Sequence, residues 1–205
     1  MWISLNYEVR DLGDEAANYG SSSNGYPGAI NWPIDEKMAH FNKRIDEWYL
    51  GVAEKVVTTF PEAGFAGLQI VLSYFECISK YYEGFIGDGG SGCHFKKGVL
   101  LAFPELTDGS KGIRNAMLND LYSGARNGLY HVAGAAPYIK VTSLPTGAFH
   151  FDEENGQVLI HPLHLVRALR EHLKQYVAEL KTNEQLRNNF EKRFNYEMLL
   201  SPVDQ

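Results

Sequence analysis

The sequence is poor in cysteine, in positive charge and in long apolar runs, and each shortage excludes a class of protein. Two cysteines among 205 residues, Cys77 and Cys93, are too few for a disulfide framework, so reduced thiols and a cytoplasmic location are expected. The net charge of −6 argues against a strongly basic nucleic-acid binder and requires a local basic cleft if RNA is the substrate. The most apolar windows contain Glu76 and Lys80, and the N-terminus has no basic start. No membrane span, membrane partner or signal peptide is therefore expected.

The spacing of apolar residues indicates a mainly α protein, an up-and-down helical bundle with a small β-hairpin or sheet around residues 138–161. Residues 1–33 are dense in Gly, Ser, Asn and Pro and are expected to form an irregular N-terminal segment packed on the body. A single helical domain is expected over residues 34–205. Helices are predicted over about 36–60, 63–85, 93–106, 113–131 and 163–181, with a last helix ending near residue 199. The predicted N-caps are Asp35, Ser91 and, for the last helix, Thr182 or Asn183.

The stretch "RNGLYH", residues 126–131, places polar side chains in a segment that otherwise reads as a core helix. At about 100° per residue, Arg126, Asn127 and His131 project away from the apolar stripe of that helix. Gly128 is predicted to let another backbone, a partner or a ligand approach. An arginine can bind a phosphoryl anion, a histidine can move protons near neutral pH, and an asparagine can orient either. Those roles suit metal-free RNA cleavage, although an ordinary polar surface explains the same residues.

The motif resembles the signature of HEPN domains (higher eukaryotes and prokaryotes nucleotide-binding), in which a histidine follows an arginine by four to six residues. A wider segment, about 63–182, resembles a bacterial subgroup of HEPN-like proteins through "LYSGARNGLYHVAG" and "GQVLIHPLHLVRALREHLKQY". The resemblance implies a metal-independent endoribonuclease or RNA-binding effector, needing no cofactor, with two motifs facing each other across a homodimer cleft. It also implies a toxin–antitoxin or defence partner.

By that resemblance, His131 would act as general base or acid on the ribose 2′-hydroxyl or the leaving oxygen. Arg126 would hold the scissile phosphate and its transition-state charge, and Asn127 would orient the pair. Gly128 would let two such helices approach in a dimer. Many HEPN-like domains are inactive as nucleases, so a non-catalytic binding or assembly module is the alternative. Ala133 stands where some HEPN toxins carry a modified tyrosine, which puts that mode of control in doubt.

Other polar residues are candidates for supporting roles. Glu76, an acid in a very apolar helix, is expected to need a partner and could pair with Arg126. Tyr130 could stack a base. The best local basic patch consists of Lys96, Lys97, Lys111 and Arg114, although a solvated rim explains it equally well. "GDGGSG" lacks the pattern of a phosphate-binding loop, and the His161/His164 pair has too few convergent ligands for zinc, so no metal site is expected.

Overall fold

The computed structural model describes residues 27–87, 89–108, 110–143 and 147–200. Within these ranges the chain is mainly helical, with a small three-stranded sheet, as the apolar pattern predicts. The α-helices are α1 (Ile34–Lys43), α2 (Gly51–Thr59), α3 (Gly64–Glu83), α4 (Ser91–Ala102), α5 (Lys111–Asp120), α6 (Gly128–Val132), α7 (Pro162–Leu180) and α8 (Glu184–Leu200). Among the described residues, no helix has the length and apolar character needed to cross a membrane.

Two helical stretches change their winding midway. A first π segment, Arg44–Leu50, joins α1 to α2, and a second π segment, Leu121–Asn127, joins α5 to α6. Short 3-10 turns lie at Pro27–Asn31, Pro61–Ala63 and Pro104–Thr107. Each predicted long helix is therefore present, but two of them contain a stretch that is wound more widely than an α-helix.

The predicted N-terminal segment is described only in part, since residues 1–26 lie outside the described residues. The remainder begins with the 3-10 turn Pro27–Asn31. Ala29 is buried there, and Ile30 and Trp32 pack against the hydrophobic core. Ala29, Ile30 and Trp32 therefore lie against the body, and the packing of the whole predicted segment stays a prediction.

The hydrophobic core is built around α3, whose sequence is apolar on most sides. Several of its side chains are fully buried, namely Leu68, Val71, Phe75, Ile78 and Tyr81. Helix α4 crosses α3 at Gly98, where an added Cβ would lie 1.8 Å from the carbonyl oxygen of Phe75. Only glycine permits this approach, and it brings the start of α4 close to the polar residues of α3.

The predicted helix caps were right at one position and wrong at two. Asn183 caps α8, since its Oδ1 accepts a hydrogen bond from the backbone N–H of Leu186 at 3.0 Å. Asp35 is not an N-cap, because α1 begins at Ile34 and Asp35 lies in its first turn, where it complements the helix dipole. Ser91 is not an N-cap either, because it is the first residue of α4 and its hydroxyl donates to Glu76.

The sheet consists of β1 (Ile139–Val141), β2 (Phe149–Asp152) and β3 (Gln157–Ile160), in the order β1-β3-β2. Strand β3 pairs with β1 in parallel and with β2 antiparallel, through a turn over residues 153–156. Ile139, Val158 and Ile160 are buried and attach the sheet to the core. The predicted sheet of two or three strands and its turn are confirmed.

Helix α8 holds the loop between α3 and α4. Asn189 donates to the carbonyl oxygen of Tyr82 at 2.7 Å, and Arg193 donates to those of Phe85 at 3.0 Å and Gly87 at 3.4 Å. These bonds satisfy carbonyl groups at the C-terminal end of α3 and just beyond it. The C-terminal helix therefore fixes the path of the chain into α4.

Candidate functional site around Arg126

The second π segment sets the direction of the Arg126 side chain. A π-helix closes its hydrogen bonds from residue i to i+5, so its side chains do not follow the 100° spacing of an α-helix. Arg126 is partly buried and reaches Glu76 on α3, where its Nη2 lies 3.2 Å from Oε2. The prediction that Arg126 projects away from the core is therefore wrong. The same prediction is confirmed for His131, which is exposed.

The carboxylate of Glu76 is the centre of the polar cluster. Its Oε2 accepts from Arg126, while its Oε1 accepts from Lys80 Nζ at 3.0 Å and from Ser91 Oγ at 2.8 Å. Burial alone would raise the pKa of Glu76, but the hydrogen bonds and charges of Lys80, Ser91 and Arg126 outweigh burial and lower it. Glu76 is thus an ionised carboxylate with a hydrogen-bond partner on each oxygen, and the pairing with Arg126 that the sequence suggested is present.

The guanidinium of Arg126 is held on several sides. Its Nη1 donates to Asn127 Oδ1 at 3.1 Å. The rings of Tyr130 and Tyr122 lie 5.1 Å and 6.0 Å from its central carbon, within the range of cation–π attraction. Two hydrogen bonds and two aromatic contacts therefore leave the side chain little conformational freedom.

Tyr130 and His131 form the exposed part of the site. Tyr130 is 65% exposed and His131 is also exposed. Their ring centroids are 5.7 Å apart with the planes inclined by 75°. Among the described residues, no hydrogen bond joins His131 to Arg126. The site thus has an inner part, in which Arg126 is bonded, and an outer part in contact with solvent.

The glycines of the motif make room for the chain's own backbone. A Cβ on Gly128 would lie 2.5 Å from the carbonyl oxygen of Gly134, and one on Gly124 would lie 2.6 Å from the ring of Tyr138. The N–H of Ala136 also donates to the carbonyl of Gly124 at 2.9 Å. The expected approach of another backbone to Gly128 is therefore confirmed, and that backbone is the chain's own segment between α6 and β1. It fills the space that was expected for the second helix of a dimer.

The four residues of the predicted basic patch lie on α4 and α5, and most have partners. Lys97 pairs with Glu83, and this hydrogen bond raises the lysine's pKa. Lys96 donates to Asn119, and Arg114 donates to the carbonyl of Thr107 at 3.0 Å. Lys111 is exposed. A role for this patch in binding a phosphate backbone stays a prediction.

The histidines considered for zinc have another role. His161 caps α7 by accepting from the N–H of His164 at 3.3 Å, and the two rings stack face to face with centroids 3.7 Å apart. Stacked rings do not converge their nitrogens on one ion. In the part of the chain that is described, no group of three or more His, Cys, Asp or Glu side chains is placed to hold a metal.

Sequence reasoning missed two members of the cluster, Lys80 and Ser91. The signal for Lys80 is its spacing four residues after Glu76, which places both on one face of α3. Ser91 gave no usable signal, because a serine before a helix is more commonly a cap.

Comparison with known proteins found no matching family model, no matching curated protein and no matching solved structure. The resemblance to HEPN domains therefore stays a prediction, and the function must be inferred from the site itself.

Proposed function

We propose that the protein acts on RNA through Arg126, Asn127 and His131, as a metal-independent HEPN-type endoribonuclease or RNA-binding effector. The observation that carries the proposal is the guanidinium of Arg126, held by Glu76 and Asn127 beside the exposed Tyr130, whose ring in turn meets that of the exposed His131. An arginine fixed in this way is suited to recognise the oxygens of a phosphodiester.

Arg126 still has donors to offer a substrate. A guanidinium has five N–H groups, and the bonds to Glu76 and Asn127 account for two of them. Because the side chain is partly buried, its charge interacts more strongly with an incoming anion than a fully solvated charge would. Because the side chain is already ordered, binding costs less conformational entropy.

His131 supplies the proton transfer in this proposal. Its imidazole takes the proton from a ribose 2′-hydroxyl as the 2′-oxygen attacks phosphorus, or returns a proton to the 5′-oxygen as the P–O bond breaks. The products are a 2′,3′-cyclic phosphate and a 5′-hydroxyl, and no step requires a metal ion. A homodimer in the cytoplasm, with a defence or toxin–antitoxin partner, completes the proposal by bringing two copies of the motif to one cleft.

The test is an RNA cleavage assay with a chelator present. Total RNA is incubated with wild type, Arg126→Ala, Arg126→Lys and His131→Ala. His150→Ala is the matched control, since it removes an exposed histidine from β2. We expect wild type and the control to cleave RNA, and the three site variants to lose about 100-fold or more. Equal rates for all proteins, or loss of cleavage in the control, would refute the assignment.

A non-catalytic binding or assembly module is the second candidate, and one observation favours it. Arg126 already has a carboxylate partner in Glu76, and among the described residues no hydrogen bond joins Arg126 to His131. A salt-bridged arginine can serve only to hold helices together. RNA binding by wild type without any cleavage, unchanged in His131→Ala, would favour this alternative.

A further inference from the structure

Tyr130 lies on the solvent side of α6, so packing against the core does not explain why an aromatic residue stands at this position. An aromatic residue that is 65% exposed gains little from the hydrophobic core. The neighbouring apolar residue Leu129 is buried, as expected for the core side of the same helix. The ring of Tyr130 thus lies on the solvent side of the motif, next to the residues proposed to act on RNA.

The ring is nevertheless held in place. The guanidinium of Arg126 lies 5.1 Å from the ring centroid, and the ring of His131 meets Tyr130 nearly edge-on at 5.7 Å. Arg126 is itself fixed through Glu76 and Asn127. Since a guanidinium can cover only one face of a ring, the exposed area of Tyr130 includes the opposite face. A fixed aromatic face open to solvent is the kind of platform on which a planar ligand stacks.

We propose that Tyr130 and Arg126 together bind one unpaired nucleotide of an RNA, with the base stacked on the open face of Tyr130 and a phosphate facing Arg126. This inference rests on the proposed function and names its substrate class, which is single-stranded RNA. Every base has a π-face, so stacking tolerates any sequence. Bases within a duplex are already stacked on their neighbours and cannot reach the ring, so paired RNA is discriminated against.

The combination of the aromatic ring of Tyr130 and the positive charge of Arg126 fits a nucleotide better than a purely apolar ligand. Arg126 places a cation behind the ring of Tyr130. The phosphate of the stacked nucleotide, which is joined to the base through the ribose, can reach this cation. An apolar side chain of a protein partner would use the ring but leave the guanidinium without an additional acceptor. The pairing of an aromatic platform with a fixed cation is therefore what recognition of a base and its phosphate requires.

The experiment measures binding without cleavage. A labelled 2′-O-methyl RNA lacks the nucleophilic hydroxyl, and its fluorescence anisotropy is followed as a single strand and as a blunt duplex at one salt concentration. The full-length proteins are wild type, Tyr130→Phe, Tyr130→Ala and Arg126→Ala. Tyr49→Ala is the matched control, because Tyr49 is 45% exposed but lies in the first π segment.

Wild type, Tyr130→Phe and the control should bind the single strand alike and more tightly than the duplex. Tyr130→Ala should bind the single strand about 5- to 150-fold more weakly, as expected for loss of one stacked base, with little change for the duplex. Arg126→Ala should weaken binding to both forms.

Three results would overturn the inference. Tyr130→Ala could bind the single strand as wild type does, could lose both forms equally, or could change the size of the protein in solution, which would place Tyr130 in a subunit contact. Each of these leaves the proposed action on RNA standing if Arg126→Ala still weakens binding. Absence of any RNA binding by wild type would overturn both the inference and the proposed function.

Discussion

Replacement of Gly98 by alanine tests the closest approach between two helices of the core. An alanine Cβ at this position of α4 would lie 1.8 Å from the carbonyl oxygen, 2.5 Å from the carbonyl carbon and 2.8 Å from the Cα of Phe75. All three are backbone atoms of α3, so no side-chain rotation relieves the overlap. The two helices must separate, or one of them must shift along the other.

Two effects of opposite sign determine the size of the change. Alanine stabilises a helix by about 1 kcal/mol relative to glycine. Against this, a non-bonded contact requires α4 to retreat by more than about 1 Å, and a gap of that size forfeits about half or more of the dispersion attraction at the crossing. The side chains affected include Phe75, Phe95 and Val99, which are fully buried. We therefore expect a net destabilisation of about 2–4 kcal/mol.

Urea unfolding followed by circular dichroism measures this change, with Gly112→Ala as the control. Gly112 lies in α5, and an added Cβ there would meet only the Oγ of Ser110, at 3.8 Å. The control should be unchanged or up to about 1 kcal/mol more stable. If Gly98→Ala unfolds at the same urea concentration as wild type while the control behaves as expected, the described crossing of α3 and α4 is wrong.

Two further predictions concern ionisable groups that burial affects, the partly buried Glu76 and the buried His172. Glu76→Gln should destabilise the fold by about 2–3 kcal/mol, because Lys80 and Arg126 lose their carboxylate. Its control Glu171→Gln, an exposed partner of Lys174, should change urea stability by less than about 0.5 kcal/mol, and equal effects of the two variants would contradict the role of Glu76. Burial lowers the pKa of His172 to about 4, below the value near 6.5 expected in the unfolded chain. Protons therefore favour the unfolded state, and stability that is complete above about pH 6.5 should fall by up to about 3 kcal/mol on acidification to about pH 4. His172→Gln should reduce this slope in urea titrations, and an unchanged slope would refute the assignment.

The helices and the small sheet could be predicted because their signals are local. The apolar spacing of α7 shows which of its sides is buried, and α3 is a long segment that is apolar on most sides, so both helices are evident from the sequence. The turn at Asn155–Gly156 is likewise local, since Asp152 accepts from the backbone and side chain of Asn155. These features need no knowledge of the rest of the fold.

The direction of Arg126 could not be predicted, because it depends on the π winding of residues 121–127. Within this segment each hydrogen-bonded ring holds one additional residue, so the 100° spacing of an α-helix does not apply to Arg126. No residue type in "LYSGARN" specifies this winding. Contacts with other parts of the chain accompany it, among them the approach of Tyr138 to Gly124. An α-helical wheel therefore gave the wrong direction for Arg126, although it gave the right one for His131.

The N-caps could also be predicted only where no distant residue competes for the capping side chain. Ser91 satisfies the local rule for an N-cap, yet its hydroxyl donates to Glu76, which lies 15 residues earlier. A partly buried carboxylate needs its hydrogen bonds more than a helix end open to water does. Asn183 has no such competitor described around it and caps α8 as its local sequence suggests.

The hydrogen bonds between α8 and the α3–α4 loop determine the order in which parts of the site can form during synthesis. The loop carbonyls of Phe85 and Gly87 receive their hydrogen bonds from Arg193, more than 100 residues later in the sequence. During synthesis, the loop that joins α3, which carries Glu76, to Ser91 cannot form its final hydrogen bonds until Arg193 has emerged from the ribosome. We therefore expect a nascent chain to carry the complete "RNGLYH" stretch well before the surroundings of Arg126 are fully assembled.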